Sequence, residues 1–389
     1  MYKDVNIPDV DEFRHEGGEH EYIEDLEQLP EEDRQQMILA GIDVREEQRS
    51  GTYIQEDQSV VHCKAKQEGL EVMDVKTALK THDWLEDYMW RGVNPEADEY
   101  TKKAYEKPHY GYFIRALPGV KTVYPVQACL YLETDNLSQN VHNIIIAEEG
   151  SELHIITGCA TKPHLQSGLH IGISEFFVKK GAKLSFTMIH NWSEGVFVRP
   201  RSVAIVEDDG LFVNNYISLR KVKSLQMYPT THLNGPNAIA RYNSILVAPE
   251  GSHMDVGGRV ILRREGCKAE IVARTLSTGG KIIARGHLVG EVPGIKAHLE
   301  CKGLILGSGV IHAIPELEGK SPDLEMSHEA AVGRIGQEEI EYLMARGLSE
   351  EEATSVIVRG FLNVDIKGLP KQLQDEIDKA IEQGEGKFF

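Results

Sequence analysis

No CxxC pair occurs in this 389-residue chain, and its five cysteines (Cys63, Cys129, Cys159, Cys267 and Cys301) form an odd, dispersed set. Paired spacings build treble-clef and zinc-ribbon sites, and even sets in short secreted chains build disulfide frameworks. With both excluded, any metal or cluster has to be assembled from residues distant in sequence. Positive charge is also scarce: 42 Lys and Arg stand against 61 Asp and Glu, a formal net charge of -19. A phosphate-backbone binder needs a basic face and an anionic membrane attracts a polybasic segment, so neither nucleic acid nor membrane is expected as a partner. No apolar run approaches the ~18 residues of a membrane span, and MYKDVNIPDV lacks the basic and apolar regions of a secretory leader, so a cytoplasmic location is expected. No GxxxxGK[ST] phosphate loop is present, so any nucleotide hydrolysis has to come from another chain.

What is present divides into three textures. Residues 1–105 are charge-rich and read as a helical domain. LPEEDRQQMILAG carries Leu29, Met37 and Leu39 behind an acidic first turn and ends at a glycine, and MDVKTALKTHDWLEDYMW places Val75, Leu79, Trp84 and Met89 at roughly helical spacing. Residues 106–320 change to short β-branched runs between glycines: SELHIITG, AKLSFTMIH, LFVNNYISL, RVILRR, AEIVART, GKIIARGHLV and AHLECKGLIL. Gly251, Gly266, Gly280, Gly294 and Gly309 each precede a strand, a step of about 15 residues and about 30 for two strands. Such even turns without intervening helices favour a solenoid over a sandwich. Residues 321–389 return to helical patterning. GQEEIEYLMARG ends on Gly347, Ser349 and Glu352 form a capping box, and Pro370 opens KQLQDEIDKAIEQG. Ile340, Leu343, Met344, Val356 and Ile357 can make an apolar face that either folds back on the solenoid or docks a partner.

Strand parity selects candidate site residues, because successive side chains point to opposite faces. In AKLSFTMIHNW, Phe186, Met188, His190 and Trp192 share one face. Cys159 shares a face with Leu153, Ile155 and Thr157, and Cys301 with Ala297 and Leu299. Both thiols are expected to face an apolar interior. Buried thiols are ordinarily inert, and Cys129 and Cys267 are read that way. His298 and Cys301, three apart on a strand, diverge and do not form a ligand pair. His328 and Glu329 in SHEAAVGRIG are expected to line a turn leading into a helix. Imidazole, carboxylate and thiolate together suit zinc or an iron-sulfur cluster, and a mixed set holds its cargo loosely.

The chain resembles the SufB/SufD family, the scaffold proteins of the SUF iron-sulfur assembly system, and SufB more than SufD. The resemblance runs from about residue 29 to 367. It is carried by MDVKTALKTH, VYPVQACLYLETDN, AEEGSELHIITGCA, LHIGISEFFVKKGAKLSFTMIHNW, HLECKGLILG, SHEAAVGRIG and RGLSEEEATSVIVRGF. It implies a mainly β fold, a right-handed parallel β-helix core flanked by N-terminal and C-terminal helical domains. The C-terminal domain is implied to dock a SufC-like ABC ATPase through Val356, Ile357 and Phe361. By the same resemblance the cluster-assembly cysteine falls on Cys301, with Glu329 and His328 as co-ligands, and the sulfur-receiving cysteine falls on Cys159. His190 and Trp192 lie on the path between them, where family members usually read Gln-Asn-Trp.

The departures are specific. The N-terminal cysteine-rich segment of many SufB proteins is absent, and a lysine of the sulfur path is not matched around Arg199, Pro200 and Arg201. SufB typically reads EHEA and SufD SHGA, whereas SHEA combines the SufD-like His328 with the SufB-like Glu329. One sequence could therefore serve as both halves of a two-fold homodimer with the cluster at its interface. The expected function is assembly of an iron-sulfur cluster, [4Fe-4S] in preference to [2Fe-2S], and its transfer to apo acceptor proteins, with the protein itself not an enzyme. The rival readings are a SufD-like supporting subunit and a β-helix enzyme acting on acidic polysaccharide.

Overall fold

The alternating apolar runs build a two-sheet parallel solenoid in a computed structural model that describes residues 7–362. The mainly β fold makes about eight turns, with a few helices near the ends, as expected. Each turn lays one strand in each sheet: Glu152–Thr161, Lys183–Asn191, Leu211–Ser218, Ile239–Ala248, Lys268–Ser277, Lys296–Ile305 and Glu325–Gly333 follow one another in the first. Their register places Leu211 beside Ile239, Ile239 beside Lys268, Lys268 beside Lys296 and Lys296 beside Glu325. Those steps of 28, 29, 28 and 29 residues are the repeat read from the glycines. Gly251, Gly266 and Gly294 turn the chain at φ of +84°, +76° and +73°, a region open to glycine at little steric cost.

The lumen between the sheets is the main core. Every second side chain points into it, among them Leu153, Ile155, Cys159, Phe186, Trp192, Tyr216, Tyr242, Ala273, Leu299 and Cys301. Burying an aliphatic or aromatic side chain of this kind contributes about 1.5–3 kcal/mol, and stacked turns repeat the contribution along the axis. The outward faces are covered by other elements. Helix Glu31–Leu39 and its C-cap Ala40 bring Met37 and Ala40 onto Ile54, Cys129 and Tyr131. Helix Glu350–Leu362 sets Val358 and Leu362 with Leu219, Leu276 and Leu304.

Two differences from the sequence reading stand out. Before residue 106 the helices Glu31–Leu39, Val75–Thr81 and Glu99–Glu106 occur, but three strands lie among them. Gly51–Glu56 pairs antiparallel with Ser59–Ala65, and Leu70–Asp74 pairs antiparallel with Tyr112–Ala116, so this region caps the solenoid. The solenoid also continues past residue 320, through Val310–Gly319 and Glu325–Gly333, before helix Gln337–Met344 begins. The capping box at Ser349 and Glu352 is present, with Glu352 N–H donating to Ser349 Oγ and Ser349 N–H to Glu352 Oε2. The helix expected after Pro370 lies outside the described residues.

Candidate functional site

Cys159 sits in strand Glu152–Thr161, facing the lumen, between Leu130 on one neighbouring strand and His190 on the other. Its predecessor Gly158 faces outward, where a Cβ would meet the Ala40 carbonyl oxygen at 2.6 Å, so the covering segment packs directly on this strand. The Cys159 thiol is wholly enclosed, and burial pushes its pKa far above the ordinary thiol value.

Around it lies a buried polar group inside an apolar lumen. His190 Nδ1 and the Tyr216 hydroxyl share a hydrogen bond of 2.6 Å. Trp192 lies between two imidazoles, 4.8 Å from the His170 ring and 5.4 Å from His190, and His170 Nδ1 donates to Gln139 Oε1 at 2.9 Å. Burial holds both imidazoles neutral, His170 down to about 3 and His190 well below its usual range, with His170 adding to the effect on His190. His190 Nε2 and Trp192 Nε1 are buried without a hydrogen-bond partner. Tyr216, which orients His190, was missed in the sequence because a tyrosine in LFVNNYISL reads as core. Only the cross-strand pairing reveals its role.

Cys301 lies five strands further along the same sheet, about 24 Å at ~4.8 Å per strand. One inward row of register partners leads there: Thr157, Met188, Tyr216, Ser244, Ala273 and Cys301. Beyond Tyr216 the row narrows to Ser244 and Ala273, and Cys301 stands between Ala273 and Ala330. Burial raises its thiol pKa to about 11, Glu300 adds to the rise and Arg274 opposes it. Metal or sulfur chemistry there requires that the thiol first lose its proton.

The expectation that His328 and Glu329 both line a turn is corrected by the structure. Both belong to strand Glu325–Gly333, because the ladder begun by Lys296–Ile305 continues through them. His328 pairs with Leu299 and so faces as Cys301 does, whereas Glu329 pairs with Glu300 and faces outward, bound to Lys302 at 3.1 Å. Among the described residues these three do not form a preassembled group of metal ligands in one chain. Among the described residues, Glu325–Gly333 is the last strand of its sheet, and Val310–Gly319 pairs only with Lys281–Gly290. The solenoid therefore ends in two unpaired strand edges beside Cys301, with Val310, Leu317 and Val332 exposed.

Of the expected docking residues, Val356 is half exposed and Ile357 borders a groove of about 450 Å³ with Glu338, Glu339, Tyr342 and Leu343. Phe361 instead packs against the apolar cluster between helix and solenoid. Cys267 is enclosed with its sulfur 3.3 Å from the Gly235 carbonyl oxygen, and Cys129 lies on the outward face under helix Glu31–Leu39. Among the described residues, no helix is long and apolar enough to cross a membrane.

Comparison with known proteins agrees with this architecture. The family described as "SUF system FeS cluster assembly, SufBD core domain" matches residues 130–361, which span the lumen rows from Cys159 to Cys301 and the open edge. An "Iron-sulfur cluster assembly SufBD family protein" of Archaeoglobus fulgidus is 53% identical over 91% of this chain and 95% of its own length. A protein of the same description from Methanothermobacter thermautotrophicus is 48% identical over 96% of this chain and 93% of its own. The "Iron-sulfur cluster assembly protein SufB" of Bacillus subtilis is 30% identical over 91% of this chain and 78% of its own. The parallel solenoid and these matches together place the chain in the SufBD family of iron-sulfur cluster assembly proteins.

Proposed function

We propose that this protein is a cytoplasmic scaffold on which an iron-sulfur cluster, its cargo, is built at the interface of a two-fold homodimer. The observation that carries the reading is the open end of the solenoid. Cys301 and His328 face the same side at a strand edge while Glu329 faces the other, so one chain offers an incomplete ligand set. A two-fold axis at this edge would duplicate the set, giving six candidate ligands around a cargo that needs about four. Surplus, mixed ligands favour exchange and release to apo acceptor proteins, and the site suits a [4Fe-4S] cluster in preference to a [2Fe-2S] one.

Sulfur would enter at Cys159 and pass along the inward row to Cys301. The buried, unsatisfied N–H-bearing rings of His190 and Trp192 support a route that meets a polar cargo inside the lumen. A SufC-like ABC ATPase would supply the energy, docking on the half-exposed Val356 and on Ile357 at the groove against helix Gln337–Met344, with Phe361 holding helix Glu350–Leu362 to the solenoid. The protein itself would be no enzyme.

The test is the mass of the purified complex together with iron per chain after anaerobic reconstitution. A dimer with one cluster per two chains is expected. A monomer holding a full cluster would refute the shared site, as would a complex that binds cluster only with a distinct SufD-like chain.

A further inference from the structure

At the other end of the solenoid, the N-terminal segment brings an imidazole against three carboxylates on the outward face. His20 is held there because its N–H donates to Ser59 Oγ at 3.2 Å, Gly17 N–H to Gln58 Oε1 at 3.1 Å and Ile23 N–H to the Val61 carbonyl at 2.7 Å. Glu56 ends strand Gly51–Glu56, and Glu133 follows strand Val126–Leu132, which pairs with it. His20 Nδ1 stands 3.5 Å from Glu56 Oε2 and 3.3 Å from Glu133 Oε2. Glu56 is 7% exposed and faces this same imidazole.

The imidazole's second nitrogen has a separate partner. Nε2 lies 3.5 Å from Asp57 Oδ2, and Asp57 is fully buried and held by Glu133 N–H at 2.8 Å and the Thr134 hydroxyl at 2.6 Å. A fixed carboxylate behind an imidazole places the proton on the nitrogen facing it, so the Nδ1 lone pair points at Glu56 and Glu133. Three electron-rich atoms facing one another repel unless a proton or a metal cation lies between them. Ligands ~2.1 Å from a tetrahedral metal stand about 3.4 Å apart, which agrees with the 3.3 and 3.5 Å observed from Nδ1. A carboxylate behind a ligating histidine is also the usual support of such a site.

We propose that His20, Glu56 and Glu133 form a site for a divalent first-row transition ion, with Asp57 orienting the imidazole. One nitrogen and two carboxylates suit Zn²⁺, Mn²⁺, Fe²⁺ or Co²⁺ better than Ca²⁺ or Mg²⁺, which prefer all-oxygen shells. The ion would tie the N-terminal segment to the first turn of the solenoid. The site uses no thiol and does not depend on the cluster function. Lys162 contacts the other oxygen of Glu133, leaving Oε2 to the metal.

The experiment is a Co²⁺ titration of the chelator-treated full-length protein, followed by visible absorption. Binding of one Co²⁺ per chain with d–d bands and no near-ultraviolet thiolate charge-transfer band is expected, unchanged in Cys301→Ser. Glu56→Gln and Glu133→Gln should each weaken binding at least about tenfold, and Zn²⁺ should displace the cobalt. Glu133 lies at a partly exposed strand end, so its variant keeps the test available if Glu56→Gln does not fold. Affinity unchanged in Glu133→Gln, or failure of the wild-type protein to bind, would mean that His20 is simply a protonated ion-pair partner and overturns the site. Bands that disappear in Cys301→Ser would place the ion at the thiol and overturn it equally.

Discussion

The two ends of this solenoid are built from the same repeat and finished in opposite ways. At the N-terminal end the parallel ladder is stopped by antiparallel strands: Ser59–Ala65 covers the edge of Gly51–Glu56, and Leu70–Asp74 covers Tyr112–Ala116. All six residues of Gly51–Glu56 are buried, and Ile54 is fully enclosed beneath helix Glu31–Leu39. At the C-terminal end, among the described residues, Val310–Gly319 and Glu325–Gly333 leave one side each without a strand, and eight of the nine residues of the latter are exposed. An uncovered edge is normally blunted because it invites pairing with another chain. Retaining one beside Cys301, His328 and Glu329 suits the proposed assembly surface, while the covered end buries its last strands.

The largest expected effect separates the thiol beside the open edge from those enclosed further inside the solenoid. Cys301→Ser should abolish the chromophore formed on reconstitution with iron and sulfide, and Cys267→Ser, whose sulfur is enclosed against backbone carbonyls, should retain it. Cys159→Ser should lose only the cluster assembled with sulfur from a desulfurase and keep that made with free sulfide. Loss in both would make Cys159 a ligand, and equal loss at Cys301 and Cys267 would remove the distinction between the open edge and the interior.

A smaller effect measures the ends directly. Ile54→Ala empties a fully buried position at the capped end and should lower unfolding stability by about 2–5 kcal/mol, read from denaturant titration. Val332→Asp, at a position 42% exposed on the open edge, should change the stability of the isolated chain by no more than about 0.5 kcal/mol while shifting its mass from dimer to monomer. If Val332→Asp unfolds the chain as Ile54→Ala does, the open edge is a structural surface and the contrast fails.

The smallest effect is a pH dependence confined to the capped end. Glu46 meets His62 Nε2 at 3.4 Å and Lys66 at 3.4 Å. Burial alone would raise its carboxyl, but His62, Thr52 and Lys66 outweigh burial and bring it down to about 2. Burial opposes protonation of His62, yet Glu46 and the Ile23 carbonyl raise it on balance. A depressed carboxylate stabilises the fold above its unfolded pKa of about 4.5, and that contribution is lost as pH falls toward 2. A raised histidine stabilises below about 6.5 and its contribution is lost as pH rises through the folded value. The stability difference between wild type and Glu46→Gln should therefore be greatest between about pH 4.5 and 6.5 and shrink on the acid side. A difference that is flat from pH 3 to 7 would show that the pair does not couple to folding.

Much of the centre of the molecule was legible without coordinates. Even glycine turns and period-two alternation indicate stacked strands, and the same alternation puts Cys159, His190, Trp192 and Cys301 on the lumen side, where they lie. The ends were harder to read. GTYIQE and SVVHCKA alternate as strands do and meet at Asp57, at φ +50°, yet the surrounding charge and flanking helical patterns make the whole segment read as helical. The SHEAAVG segment reads as a turn because its alternation is weak at an edge with only one neighbour.

By itself the sequence determined the repeat, the inward row of thiols and rings, and the absence of a phosphate loop, since each follows from side-chain type and local spacing. Only the tertiary structure decided that His328 and Glu329 face opposite ways, that one end of the solenoid is covered and the other open, and that His20, Glu56 and Glu133 converge. Convergence depends on the register of Gly51–Glu56 against Val126–Leu132, about 75 residues further along the chain, and on the path of an irregular N-terminal segment. A one-residue slip in that register would turn every such side chain to the opposite face, and no local pattern in the sequence records which register the packed turns adopt.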